Sequence, residues 1–300
     1  MRVGIIGAGS IGLLFAAFLS RIFDVTVYAR TTEQAVAINQ HGVKLIQGPK
    51  ETVAKVKAMP AAEWQGSEDF TIIAVKQYQL SSIVEKLKRT QFIPENLLFL
   101  QNGMGHLSML KNFKASNIFV GSVEHGALRE NLNTVRQNGT GTTNVAVYKG
   151  DKKVLQSFTD MVKKVFPMTI QEEYLPMLEK KLVVNAMINP LTAILQVNNG
   201  ELVNNPFYYK VLQNLFSEIT TVLNLEQPEE YWEKVIKICK KTSDNRSSML
   251  KDIEAKRVTE VDAILGYLIN EADRKGKKSP QLETLYYLIK GKERLGEEMA

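Results

Sequence analysis

The sequence has one cysteine in 300 residues, so no intramolecular disulfide can form and a reducing compartment is expected. No apolar run approaches the roughly 18–20 residues that a membrane span requires, so no membrane partner is expected. Low-complexity tracts and internal repeats are lacking as well. The composition, 44% hydrophobic and 23% charged, is that of an ordinary globular chain long enough for two domains. Arg2 ahead of apolar residues superficially resembles a signal peptide. The glycines that interrupt that stretch, and its use as a strand, argue instead for a cytoplasmic protein.

The net charge of +6 raises the question of nucleic acid. Its lysine runs, Lys237-Lys240-Lys241 and Lys275-Lys277-Lys278, have no interleaved aromatics and read as solvated helix faces and loops. No nucleic-acid partner is expected, and the excess charge suits an anionic cofactor and an anionic substrate. Cys239 lies among Val235, Ile236 and Ile238 and reads as a packing residue. No metal site is expected.

What is present is organised around the first thirty residues. Arg2 to Ile6 reads as a buried strand, Leu13 to Arg21 as a helix and Val25 to Tyr28 as a second strand. Between the first strand and the helix stands Gly7-Ala8-Gly9-Ser10-Ile11-Gly12. In that context Gly7 permits a tight turn, Gly9 lets backbone approach a pyrophosphate, and Gly12 allows close helix–strand packing. The helix N-terminus adds unpaired N–H groups for the same anion. An NAD site usually places Asp or Glu about 20 residues past the glycines. Here Tyr28-Ala29-Arg30-Thr31-Thr32 brings no carboxylate before Glu33, and Arg30 offers a fork suited to a 2′-phosphate. NADP is the expected cofactor.

Further strands are expected at Val43–Ile46, Thr52–Ala58, Phe70–Val75, Asn96–Leu100 and Ile118–Ser122, with helices at Ala35–Gln40 and Leu80–Leu87. The alternation predicts an α/β domain with a mostly parallel sheet and helices on both faces. Thr134 to Tyr148 reads as antiparallel strands finishing that sheet, and Asp151 to Val165 as a helix. Lys76 and Asn102-Gly103 follow strands directly, at the carboxyl ends where ligands gather in such sheets. The Asn-Gly pair is equally consistent with a plain turn. Pro167, Pro176 and the acidic Gln171-Glu172-Glu173 suggest a boundary near residue 170, with an all-α domain over 171–300.

Lys180 to Leu195 is apolar nearly all round, as a buried helix is. Through it run Lys181, Asn185 and Asn189 at i, i+4 and i+8, on one face. A lysine and two amides there are costly unless something pairs with them, so a shared polar ligand is expected. Pro190 is expected to kink the helix beside them. Ser247 and Ser248 read as helix capping, and Glu260 as a first-turn carboxylate.

Together these stretches resemble the ketopantoate reductases (2-dehydropantoate 2-reductases) over nearly the full chain. The likeness rests on GAGSIG at Gly7–Gly12, Arg30, Lys76, NGMG at Asn102–Gly105 and KLVVNAMINPLTAI from Lys181 to Ile194. NGEL at Asn199–Leu202 and SSMLKDIEAKRVTEVD from Ser247 to Asp262 complete it. The glycine motif is common to many dehydrogenases, whereas the long helical stretches are far more specific. The resemblance implies an N-terminal Rossmann domain over 1–170, a helical domain after it, and an active site in the cleft between. It implies NADPH-dependent reduction of ketopantoate to pantoate on the way to pantothenate and coenzyme A, by a monomer or homodimer.

Carried over residue by residue, Lys181 matches the catalytic lysine and Glu260 the acidic residue that assists or orients it. Asn102 matches a residue near nicotinamide and substrate, and Lys76 a lysine of the cleft. Asn185, Asn189 and Ser248 match substrate contacts, with Asn199 and Asn245 grouped beside them. Gly7 to Gly12, including Ala8, Ser10 and Ile11, and Arg30 fall to the cofactor. His125, in GSVEHGA, is assigned no chemistry. Gln101 and Asn198 depart from the family pattern and leave substrate selectivity open. The competing readings are a related NADP-dependent reductase of another 2-keto or 3-hydroxy acid, a silent NADPH-binding regulator, and a flavin enzyme that shares only the glycine motif.

Overall fold

The computed structural model describes residues 1–87, 92–111 and 113–298. The chain divides into two compact units. The first comprises Met1–Gln101 and Ser108–Met177, and the second Asn102–Leu107 with everything from Leu178 onward.

Among the described residues the first unit holds twelve strands. They are β1 (Arg2–Ile6), β2 (Asp24–Ala29), β3 (Val43–Gln47), β4 (Lys50–Ala54), β5 (Lys57–Pro60) and β6 (Phe70–Ile73). After them come β7 (Asn96–Phe99), β8 (Asn117–Val123), β9 (Gly126–Arg129), β10 (Thr134–Gly139), β11 (Thr143–Lys149) and β12 (Met168–Ile170). The principal helices among them are α1 (Ser10–Leu19), α2 (Thr32–His41), α3 (Gln77–Leu87), the single turn α4 (Leu107–Leu110) and α5 (Lys152–Val162).

Eight strands form one sheet in the order β12-β11-β8-β7-β6-β1-β2-β5. Strands β8 to β5 along that order pair in parallel, and β11 joins β8 antiparallel. Chain order reverses on either side of β1, which pairs with β2 on one edge and β6 on the other. That is the switch point at which doubly wound sheets bind their ligands. The strands are short apolar runs, buried on both faces as parallel strands are.

The second sheet, β4-β3-β10-β9, was not anticipated. The expected strand Thr52–Ala58 is two strands: β4 turns back on β3 in the small sheet, and β5 extends the large one beside β2. Likewise β10 and β11 do not form a hairpin, because β10 pairs with β3 and β9 while β11 pairs with β8 and β12. Helix α1 explains the arrangement. It contacts β1 and β2 of one sheet and β3, β4, β9 and β10 of the other, and is buried continuously from Gly12 to Leu19. A helix covered on two sides has no polar face to show. Aromatic stacking fills the core beneath, with Phe70 on Phe158 at a ring separation of 3.9 Å. Helix α5 ends at Val162, short of the expected Val165.

The second unit is helical: α6 (Tyr174–Leu195), α7 (Glu201–Asn204), α8 (Pro206–Leu223), α9 (Pro228–Lys241), α10 (Ser248–Glu254), α11 (Tyr267–Arg274) and α12 (Pro280–Glu298). A π-helical segment, Asp262–Gly266, precedes α11. Cys239 is fully buried on α9, and burial pushes its thiol up to about 11, as a packing residue requires. No helix among the described residues is long and apolar enough to cross a membrane.

Candidate active site

The glycine turn follows β1, and each glycine meets a different constraint. Gly7 has φ +106, a conformation that a side chain strains, and a Cβ on Gly12 would stand 1.8 Å from the Gly7 carbonyl oxygen. A Cβ on Gly9, by contrast, would enter space with nothing within 4 Å. Helix α1 starts there with no side-chain cap and no acidic residue in its first turn. Uncapped N–H groups facing open space at a dipole's positive end fit the pyrophosphate of a dinucleotide. Ala8 is buried, and its carbonyl accepts the Gln34 amide at 2.9 Å. The Ser10 hydroxyl accepts the Arg129 backbone N–H at 3.0 Å. Ile11 packs against the core at the turn.

Arg30 stands exposed just past the end of β2 and makes no ion pair among the described residues. Two residues before it, Tyr28 donates to Glu68, a nearly buried carboxylate that also accepts Trp64 Nε1 at 2.9 Å. That network anchors the end of β2. Thr31 caps α2, its hydroxyl oxygen accepting Gln34 N–H at 3.2 Å. Lys76 follows β6, its ammonium 5.9 Å from the Tyr78 ring centre. The departure Gln101 has a structural duty here. Its amide donates to the carbonyls of Ile73 and Val75, at 3.0 and 2.9 Å, and pins the strand end that leads to Lys76.

In the helical unit, Lys181, Asn185 and Asn189 lie on α6. From Lys181 to Ala193 only Lys181 and Asn185 escape burial, and Asn189 keeps 8% exposure. Between Lys181 and Ala193 the polar stripe therefore supplies the two positions that remain open, Lys181 and Asn185. Neither asparagine amide has a protein partner among the described residues. Helix α6 is continuous through Pro190, where an interior kink was expected. Near that point the Thr192 hydroxyl donates to the carbonyls of Ile188 and Asn189, at 2.8 and 3.1 Å.

Thr192 also reaches Ser247 Oγ at 2.7 Å, and Ser247 caps α10 by accepting Leu250 N–H at 3.1 Å. Ser247 is thus consumed by structure, while Ser248 stays exposed. Asn199 donates its side-chain amide to Thr242 Oγ1 at 2.9 Å and its backbone N–H to the Asn245 carbonyl at 3.0 Å. These bonds join two turns and leave the Asn245 side chain exposed.

Asn102 belongs to the helical unit with the five residues after it. Its side-chain amide donates to Glu260 Oε2 at 2.7 Å, across 158 positions of sequence. Gly103 has φ +75, and a Cβ there would lie 2.1 Å from the Ala263 carbonyl oxygen, so the Asn-Gly pair is both a turn and a close approach to the Glu260 segment. His125 is a packing residue, its ring stacked 4.2 Å from Phe166 and its Nδ1 accepting Gly141 N–H. Gln34, Thr192 and the residues flanking Glu260 carry support that sequence reading missed. Each is a polar residue in a helical or turn context and gives no local signal. Among the described residues no group of three or more His, Cys, Asp or Glu could hold a metal ion.

The ketopantoate reductase PanE/ApbA family matches residues 3–150, and its C-terminal counterpart matches residues 174–293. The chain is 42% identical over 296 residues to the 2-dehydropantoate 2-reductase of Bacillus subtilis, covering 98% of each. A crystal structure of the probable 2-dehydropantoate 2-reductase of that organism superposes with a TM-score of 0.88 at 41% identity, over 97% of this chain and 100% of that one. The ternary structure of D-mandelate dehydrogenase with NADH and anilino(oxo)acetate shares the fold, with a TM-score of 0.91 at 24% identity over 99% of both chains. On its sequence, on its fold and on these full-length likenesses, this chain belongs to the ketopantoate reductase family.

Proposed function

We propose that the protein reduces 2-dehydropantoate to (R)-pantoate with NADPH, in the reducing environment of the cytoplasm. The observation that supports this most is the Asn102–Glu260 hydrogen bond. It joins two residues of separate motifs, each of which family resemblance gives to the reaction centre. NADPH, when bound, supplies the hydride that reduces the C2 ketone. The glycine turn and the N-terminus of α1 hold its pyrophosphate, and Arg30 reads its 2′-phosphate. Lys76 adds a positive charge to the same ligand.

Reduction leaves alkoxide charge on the former carbonyl oxygen. The Lys181 ammonium stabilises that charge and gives it a proton. Glu260 offsets the burial of the ammonium and is itself aimed by Asn102. Asn185 and Asn189 offer amide donors and acceptors to the substrate carboxylate and hydroxyl, and Ser248 and Asn245 add exposed polar groups. Asn199 serves by holding the turn that carries Asn245.

Two measurements test the reading. NADPH oxidation is followed with ketopantoate, then with NADH as reductant and with other 2-keto acids, phenylglyoxylate included. Fast oxidation confined to NADPH and ketopantoate is expected, and preferential use of another keto acid would transfer the activity to it. Lys181→Ala is expected to lower kcat by about 10² to 10⁴ while leaving the Kd for NADPH unchanged. Turnover within a few-fold of wild type would remove Lys181 from the proton transfer.

A further inference from the structure

Glu260 is the bend residue at the start of a helical stretch: its carbonyl accepts the Ala263 and Ile264 N–H groups at 3.1 Å, and the stretch runs through the π-helical segment Asp262–Gly266. Such wide turns are poorly stable alone and persist where something else holds them. Here α12 does so. Tyr286, Lys290 and Glu293 recur at intervals of four and three, on one helix face.

All three grip residues that flank Glu260. Glu293 Oε1 accepts the Thr259 backbone N–H at 2.7 Å and the Thr259 hydroxyl at 2.6 Å. That hydroxyl oxygen in turn accepts Val261 N–H at 3.1 Å. On the other side of Glu260, Tyr286 donates to Asp262 Oδ1 at 2.7 Å and the Lys290 ammonium lies 3.2 Å from Asp262 Oδ2. Lys290 closes the network at 2.9 Å from Glu293 Oε2. The Glu293 side chain is only 7% exposed. A carboxylate so withdrawn from water has to be compensated by charge-assisted bonds, and those bonds go to Lys290 and the turn before Glu260.

We infer that Glu293 is a positioning residue for the reaction: with Tyr286 and Lys290 it fixes the Thr259–Asp262 turn, and through it the aim of the Glu260 carboxylate at Asn102. The inference rests on the role proposed above for Glu260.

The test is a double-mutant cycle on the full-length protein with ketopantoate and NADPH. Glu293→Ala is expected to lower kcat about ten- to a hundredfold, as small misplacements near a reacting centre do, with the KM for NADPH unchanged. Glu293→Gln keeps the acceptor for Thr259 and is expected to recover most of that loss. In a Glu260→Ala background, Glu293→Ala is expected to add less than about twofold, because both changes remove the same interaction. An equal loss in both backgrounds overturns the inference, as does a Gln variant no better than Ala.

A second readout needs no turnover. The Asn102 side-chain amide signal in NMR, assigned by its disappearance in Asn102→Asp, is expected to move in Glu293→Ala towards its position in Glu260→Ala. In Glu293→Gln it is expected to stay near its wild-type position. An unmoved signal in Glu293→Ala overturns the inference whatever the enzyme's substrate. A moving signal in a protein that reduces no ketopantoate overturns the functional reading alone.

Discussion

His106 gives the sharpest prediction about stability. It follows Gly105 in the helical unit, is 0% exposed, and neither of its ring nitrogens has a hydrogen-bond partner among the described residues. Burial disfavours the charged ring and pulls its pKa from 6.5 down to about 4. The folded value lies below the unfolded one, so the unfolded chain takes up the proton first as pH falls. The stabilising contribution is therefore complete above about pH 6.5 and is lost towards about pH 4. The interval corresponds to about 3 kcal/mol, of which about 2 kcal/mol is gone by about pH 5. His106→Phe keeps an aromatic ring, removes the titration and breaks no hydrogen bond. Urea titrations of both proteins, followed by circular dichroism at about pH 7, 6, 5 and 4, isolate the effect. Any packing difference between the rings shifts the two curves by a constant. Other acid-sensitive groups, such as His125 with its pKa also lowered by burial, are common to both and cancel. Wild type is expected to lose about 3 kcal/mol relative to the variant between about pH 7 and pH 4. Parallel curves would show that His106 is not buried neutral and unpaired, and would refute the argument.

Two glycines of one motif are expected to fail in opposite ways. Gly9→Ala places its Cβ in open space, so the melting temperature stays put while the Kd for NADPH rises. Gly12→Ala drives a Cβ into the Gly7 carbonyl and is expected to destabilise the first unit by at least about 3 kcal/mol, read by thermal unfolding without cofactor. Equal melting temperatures for the two variants would contradict the assignment. Arg30→Ala is expected to raise the Kd for NADPH by about tenfold or more and leave that for NADH unchanged, since it removes charge-assisted bonds to one phosphate. An unaltered NADPH to NADH ratio would show that another residue reads the 2′-phosphate.

The sequence-legible parts are those written in one short window. The glycine turn is one: strand, turn and helix are contiguous, and each glycine's constraint is set within the motif or by the next strand. The stripe Lys181, Asn185 and Asn189 is another, because helical periodicity alone puts the three on one face. The second sheet was illegible for the opposite reason. Nothing local tells residues 50–54 to pair with β3 and residues 57–60 to pair with β2, since both are short half-exposed strands whose partners lie elsewhere in the chain. Tyr286, Lys290 and Glu293 were equally silent. On an amphipathic helix they look like a solvated face, and only the fold brings Thr259 and Asp262 against them.

Asn102 shows how much partnership adds to a residue already singled out. From its position after a strand, an asparagine there is equally a turn former or a ligand contact. Its 2.7 Å bond to Glu260 removes much of that freedom, because a carboxylate accepts and the amide nitrogen must therefore be the atom turned towards it. The carbonyl oxygen is thereby turned away from Glu260, and it and the second amide N–H are the groups that Asn102 can offer a ligand. An acceptor beside a donor in that place suits a carboxamide or a substrate hydroxyl. Gly103, pressed against Ala263, keeps the loop from drifting away, and Glu293 holds the other side of the same contact through Thr259. The orientation of one amide thus depends on a glycine beside it and on a carboxylate nearly two hundred residues further along the chain, which is why deleting either is expected to act on the chemistry without touching a ligand.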